Sequence, residues 1–181
     1  ADARHRFDRV ATVAERADDA ASFAEAALGL GGHWVYEHRQ PVERTRVLGL
    51  QRSARARLPA GPLRVRLDAR LAAEGVYDGE SLDPVFAALD AARACPDPVA
   101  RAEALSLIHH ALLAPEHAEV RLALADELVA VASAAGHGVL GLMGLCWRAV
   151  DLYLLGDDRA GRALEDLRER ADALACQNIL Y

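Results

Sequence analysis

The sequence predicts an all-α fold: a right-handed superhelical array of antiparallel helix pairs, with roughly nine helices. Three observations predict it. Hydrophobic residues make up 52% of the 181-residue chain and are mainly Ala, Leu and Val, whereas aromatics make up 5%. Ala and Leu favour helix, and aromatic and β-branched side chains favour strand. Apolar residues recur at helical spacing, with Pro or Gly at the breaks. Two stretches, 98–134 and 139–175, each read as helix, short turn and helix, offset by roughly 40 residues, a period suited to stacked helix pairs. So high an apolar content argues against disorder. The length suits one domain, residues 1–181.

In chain order, residues 4–17 carry Phe7, Val10, Ala11 and Ala14 on a helical stripe. No capping residue precedes them, so the segment reads as cut mid-helix from a larger protein. A second helix, 19–28, is expected to stop at Gly29, Gly31 and Gly32. The loop that follows, 33–40, holds His33, Trp34, Tyr36 and His38. Pro41 opens a helix over 42–58, and Pro59-Ala60-Gly61-Pro62 breaks it. Pro62 starts the next, with Leu63, Leu67, Leu71 and Val76 as its stripe, until Asp78-Gly79 turns the chain. Asp83-Pro84 and Asp97-Pro98 read as N-cap plus first helical residue, for helices to 94 and 113. Pro115 ends the second of these. Helices follow over 117–134, 139–155 and 159–175, separated by Gly136 and by Gly156-Asp157. The tail, 177–181, ends on an apolar cluster.

Composition also excludes chemistry. All 21 basic residues are Arg. Arg, Ala and Gly share GC-rich codons, so the bias reflects a high-GC genome. A Walker A loop needs a Lys for the nucleotide phosphates, and Schiff-base catalysis needs a Lys amine. Nucleotide binding is therefore not expected. Cys95, Cys146 and Cys176 are odd in number and widely spaced, which suits small buried hydrophobes in a reducing compartment. No signal peptide or membrane-length apolar run is visible. The chain reads as cytoplasmic.

The unit over 139–175, with Trp147, Leu152, Gly156-Asp157, Ala160 and Ala163, resembles a degenerate tetratricopeptide repeat. The strings 30–39 (LGGHWVYEHR), 109–117 (HHALLAPEH), 122–127 (LALADE) and 145–152 (LCWRAVDL) resemble the tetratricopeptide-like region of large, NTPase-containing LuxR-family transcriptional regulators of high-GC bacteria. The resemblance covers most of the chain. It implies an NTPase module before this region and a helix-turn-helix domain after it, as partners within one polypeptide. It also implies a helical region that receives a signal, protein or small molecule, and passes it on. No enzyme activity and no cofactor are expected.

Candidate sites stand beside plainer readings. His109 and His110 are adjacent, so they leave a helix on different faces, and no carboxylate or Cys stands at a ligand spacing. No metal is expected; one His should pack against a neighbouring helix and one should face solvent. His33, Trp34, Tyr36 and His38, with His109, His110 and Trp147, are candidates for a groove or pocket. Gly138, Gly141 and Gly144 lie one turn apart, which suits a close helix approach rather than a dinucleotide loop. No Ser has a plausible base, and the paired acids suit solvated helix faces. Residues 39–70 hold nine Arg against Glu43 and Asp68, a net of +7 in a chain of −6. Arg44, Arg52, Arg55, Arg64 and Arg66 are thus candidates for a partner-docking surface, the alternative being exposed Arg on two solvated helices. The net acidity argues against direct nucleic-acid contact. Two function classes follow: a protein-interaction or interdomain coupling scaffold, or an inducer sensor with its ligand in the concave groove.

Overall fold

A computed structural model describes residues 2–37 and 40–175, all helix and connections. Nine α-helices occur among them: α1 (Asp2–Arg16), α2 (Ala20–Gly31), α3 (Pro41–Arg57), α4 (Pro62–Val76), α5 (Asp83–Ala94), α6 (Pro98–Ala111), α7 (Ala118–Ala134), α8 (Gly138–Leu154) and α9 (Ala160–Ala173). A short 3-10 turn, Pro115–His117, precedes α7. The all-α array and the helix count match the sequence expectation. The apolar tail and His38 lie outside the described residues.

Capping chemistry sets several starts. Asp19 accepts the Ser22 N–H at 3.0 Å, and Asp97 accepts the Ala100 N–H at 2.7 Å. His137 does the same for α8, its Nδ1 accepting from Leu140 N–H at 3.3 Å. Asp83 is not the cap expected of it. Leu82 takes that position in a helical conformation, its carbonyl accepting from Val85 and Phe86, so the turn begins one residue early.

Two ends also differ from expectation. α2 runs on through Gly29 to Gly31. A Cβ placed on Gly29 would lie 2.4 Å from a ring carbon of Phe7, so Gly29 is there for the approach of α1 and not to end α2. α6 stops at Ala111, because the Leu112 and Ala114 carbonyls turn away to accept from Arg121 at 3.0 and 2.9 Å.

The even helices form a spine in which α2 touches α4, α4 touches α6 and α6 touches α8. Each odd helix packs on its sequence neighbours, and odd helices meet one another through ion pairs between long side chains, such as Arg57 of α3 with Glu15 of α1 and Arg93 of α5 with Glu127 of α7. Every interior helix therefore buries more than one face, as Ala-rich helices permit because small side chains let axes approach. The main core fills the space from α4 to α8, around Leu105, Ile108, Leu124 and Leu128. A second core, around Phe23, Ala27 and Leu67, joins α1 to α4.

The approach of α7 and α8 depends on Gly144. A Cβ there would lie 2.8 Å from Val129 Cγ2 and 3.0 Å from the Val129 backbone nitrogen. Gly144→Ala should therefore cost about 1–3 kcal/mol by overpacking, outweighing the roughly 1 kcal/mol that Ala gains as a helix former. Gly49, mid-α3 with open space around it, is the opposite case. Gly49→Ala should stabilise by about 0.5–1 kcal/mol. Urea denaturation of the two variants checks both signs.

Candidate functional site

Between α2 and α3 the chain forms a strap, residues 32–37, laid across the spine. Gly32 begins it at φ 75°, a left-handed conformation suited to glycine. Glu37 closes it by accepting the His33 N–H at 3.1 Å. Arg4 from α1 pairs with the same carboxylate at 2.6 Å. From below, the buried Arg70 of α4 donates to the carbonyls of Gly32 and Trp34, the latter at 2.8 Å. One turn on, Glu74 accepts the Tyr36 N–H at 3.1 Å. Val35 is buried in the main core.

So held, the strap lays Trp34 on the C-terminal half of the array. Trp34 meets Trp147 of α8 edge-to-face at 5.4 Å and His110 of α6 at 6.0 Å. Tyr36 stacks on Tyr77 at 5.3 Å, and Tyr77 reaches His110 at 6.0 Å. His109 stacks on Trp147 at 4.5 Å. The Arg44 guanidinium lies 4.9 Å from the Tyr36 ring centre. Of the seven candidate pocket residues, Trp34, Tyr36, His109, His110 and Trp147 form one cluster. His33 stands beside it, and His38 is outside the described residues.

The expectation that one of His109 and His110 faces solvent is corrected. His109 is fully buried, and His110 is half-buried among three aromatic rings, because the strap folds back over α6. Burial pushes the His110 imidazole down to about 4, helped by the adjoining His109 and Arg70. Beneath them lies a network absent from the sequence reading. His109 Nε2 meets Asp151 at 2.6 Å, and Arg121 Nε donates to the other Asp151 oxygen at 2.8 Å. Their side chains are 1%, 1% and 2% exposed. A carboxylate only accepts, so Nε2 carries the proton in that contact. Ser106, one turn before His109, accepts the Trp147 indole N–H at 3.5 Å and makes no bond to His109. The trio is therefore a buried brace and lacks the geometry of a nucleophile with its base. Among the described residues no group of three or more His, Cys, Asp or Glu could hold a metal ion.

A groove of about 320 Å³ runs alongside, floored by Arg66 and Arg70 of α4. Its walls are Phe7, Leu28 and His33 on one bank and Ser106, Leu107, Leu140 and Met143 on the other. Arg66 spans it, pairing with Glu25 at 2.7 Å and with Glu103.

The Arg block is spent mostly inside the fold. Arg44 pairs with Asp78 at 2.6 Å, and this bond holds the exposed Asp78 carboxyl below its ordinary range. Arg55 pairs with Asp68, and Arg64 donates to the Leu58 carbonyl at 2.9 Å. Arg66 is the groove bridge. Outside the candidate set, Arg46 reaches Asp8 at 2.8 Å and Arg57 reaches Glu15 at 3.0 Å. Of the five candidates only Arg52 stays exposed without a bonded partner, at the edge of a hollow between α4 and α5. The +7 stretch is answered by carboxylates distant in sequence, which charge counting along the chain does not show.

Two measurements follow. Asp151→Ala strands the buried Arg121 and should cost about 3–5 kcal/mol, read by chemical denaturation. Arg121→Met with Asp151→Ala should recover part of that loss. His110 binds its proton more weakly in the folded state than its ordinary value of 6.5. The unfolded chain then holds more protons between pH 6.5 and about 4, so stability falls as pH drops through that window and is level above it. Thermal melts of wild type and His110→Gln should diverge below pH 6.5. Coincident curves would refute the assignment.

In comparisons with known proteins, the chain matches no family model, no curated protein and no solved structure.

Proposed function

We propose that this chain is a non-catalytic, tetratricopeptide-like segment of a cytoplasmic transcriptional regulator, coupling other domains of its own polypeptide. The observation that carries the proposal is the strap: Trp34, which follows α2, rests on His110 of α6 and Trp147 of α8. A displacement on one side of the spine moves the other, since packed rings and a buried guanidinium do not deform smoothly. By resemblance to LuxR-family regulators, the coupled domains are an NTPase module and a helix-turn-helix. No helix among the described residues is long and apolar enough to cross a membrane.

The groove favours a second reading, an inducer sensor. Its volume is near the lower end of small-molecule sites, and its apolar banks together with the charged Arg66, Arg70, Glu25 and Glu103 suit a small organic ligand that carries polar groups. Ser106 belongs both to the groove and to the ring cluster, so a ligand there would bear directly on the strap.

Hydrogen-exchange mass spectrometry tests the coupling. Trp34→Ala should raise exchange in α2 and also in α6 and α8; a change confined to 32–37 would sink the proposal. For the second reading, ligands that raise the melting temperature in a metabolite screen should lose their effect in Met143→Trp, which fills the groove. Retention of the full shift would place them elsewhere.

A further inference from the structure

The outer face of α1 carries an apolar stripe that none of the described residues covers. Val10 is 45% exposed and Val13 64% exposed. With Ala14 and Ala17 they line a shallow groove of about 520 Å³, and Asp19 and Ser22 at the start of α2 form its far edge. Val10, Val13 and Ala17 are spaced by three and four, the spacing of a seam for another helix, and Arg6 stands one turn before Val10 on the same line. α9 buries Ala163, Leu167 and Ala171 against α8, and its exposed face carries Glu165, Arg168 and Asp172 beside the half-exposed Leu164.

Charge selects what fits. Arg6 and Arg9 line the groove, and Arg16 follows Arg9 by two helical turns on the same flank. A second copy pairing antiparallel through this seam would set Arg9 of one copy against Arg16 of the other, which is repulsive. An incoming helix with carboxylates beside its apolar stripe meets the same flank favourably. We propose that α1 is a docking site for an acidic amphipathic helix of a protein partner. This rests on the interaction-scaffold reading and is independent of the strap and the groove over α4.

The probe is a fluorescent 18-residue synthetic helix with Leu at the seam positions and Glu on the flank that faces Arg9 and Arg16, against the same peptide with Lys for Glu. Anisotropy should show the Glu peptide binding at least tenfold tighter than the Lys peptide, with the difference shrinking as salt rises. Val13→Glu should abolish binding while leaving the circular dichroism unchanged, because Val13 is mostly exposed. Arg9→Glu with Arg16→Glu should invert the preference. Equal binding of both peptides, undiminished binding to Val13→Glu, or a homodimer in sedimentation that Val13→Glu dissolves would each overturn the proposal. Failure here leaves the exchange test of Trp34 untouched.

Discussion

Arg70 is the residue on which the arrangement turns. Its guanidinium is almost wholly buried at the centre of the spine, where desolvation disfavours its charge, with Glu74 one turn away at 3.5 Å. A charge in that position persists only when it is paired and hydrogen-bonded. Its partners include the carbonyls of Gly32 and Trp34, which belong to the strap. Strap and spine thus depend on each other: the loop carbonyls satisfy the arginine, and the arginine gives the loop one conformation. Glu74 completes the exchange by holding Tyr36 from the same helix. Trp34 and Tyr36 occupy their places among α4, α6 and α8 because this pair fixes the backbone between them.

The same logic explains why the chain can use arginine so heavily within its fold. A planar fork of donors serves several acceptors at once, which a lysine ammonium does less well. Arg66 joins α2 to α6 through Glu25 and Glu103, and Arg121 joins Asp151 to two carbonyls at the end of α6. Arg93 and Arg101 converge on Glu127 of α7. The exposed members contribute little individually, since solvent screens them. The buried ones specify register, because each has acceptors at only one relative placement of its helices.

How much of this was legible in the sequence depended on the kind of signal. Helix positions were legible because Pro, Gly and the apolar period act locally; Asp97-Pro98 gave both the cap and the start of α6. Boundaries failed where a distant group intervened, as Arg121 does beyond Ala111 and Phe7 does over Gly29. The ring cluster was partly legible, since aromatic residues are scarce here and Trp34 and Tyr36 share one loop rich in His. Its companions Tyr77, Arg70, Glu74, Arg121 and Asp151 were not, since each is an ordinary helical residue until tertiary contacts bring it beneath the strap. The Arg block misled for a related reason. Net charge over a stretch of sequence describes a surface only when the answering carboxylates are nearby in sequence, and here they come from α1, α2, α6 and the turn after α4.

That reassignment relocates the binding potential of the molecule. With Arg44, Arg55, Arg64 and Arg66 engaged internally, the α3–α4 face has few strong, unanswered contacts to offer. What is left is of two kinds. The groove over α4 is concave and flanked by elements locked together through Trp34, so an occupant there would act on the relation between the two halves. The α1 face is a shallow groove backed by the separate core of Phe23, Ala27 and Leu67, so an occupant there would add a helix beside α1. A scaffold that both holds a partner and relays a signal needs these properties at different places, because a surface that must stay rigid to dock cannot also be the surface that moves.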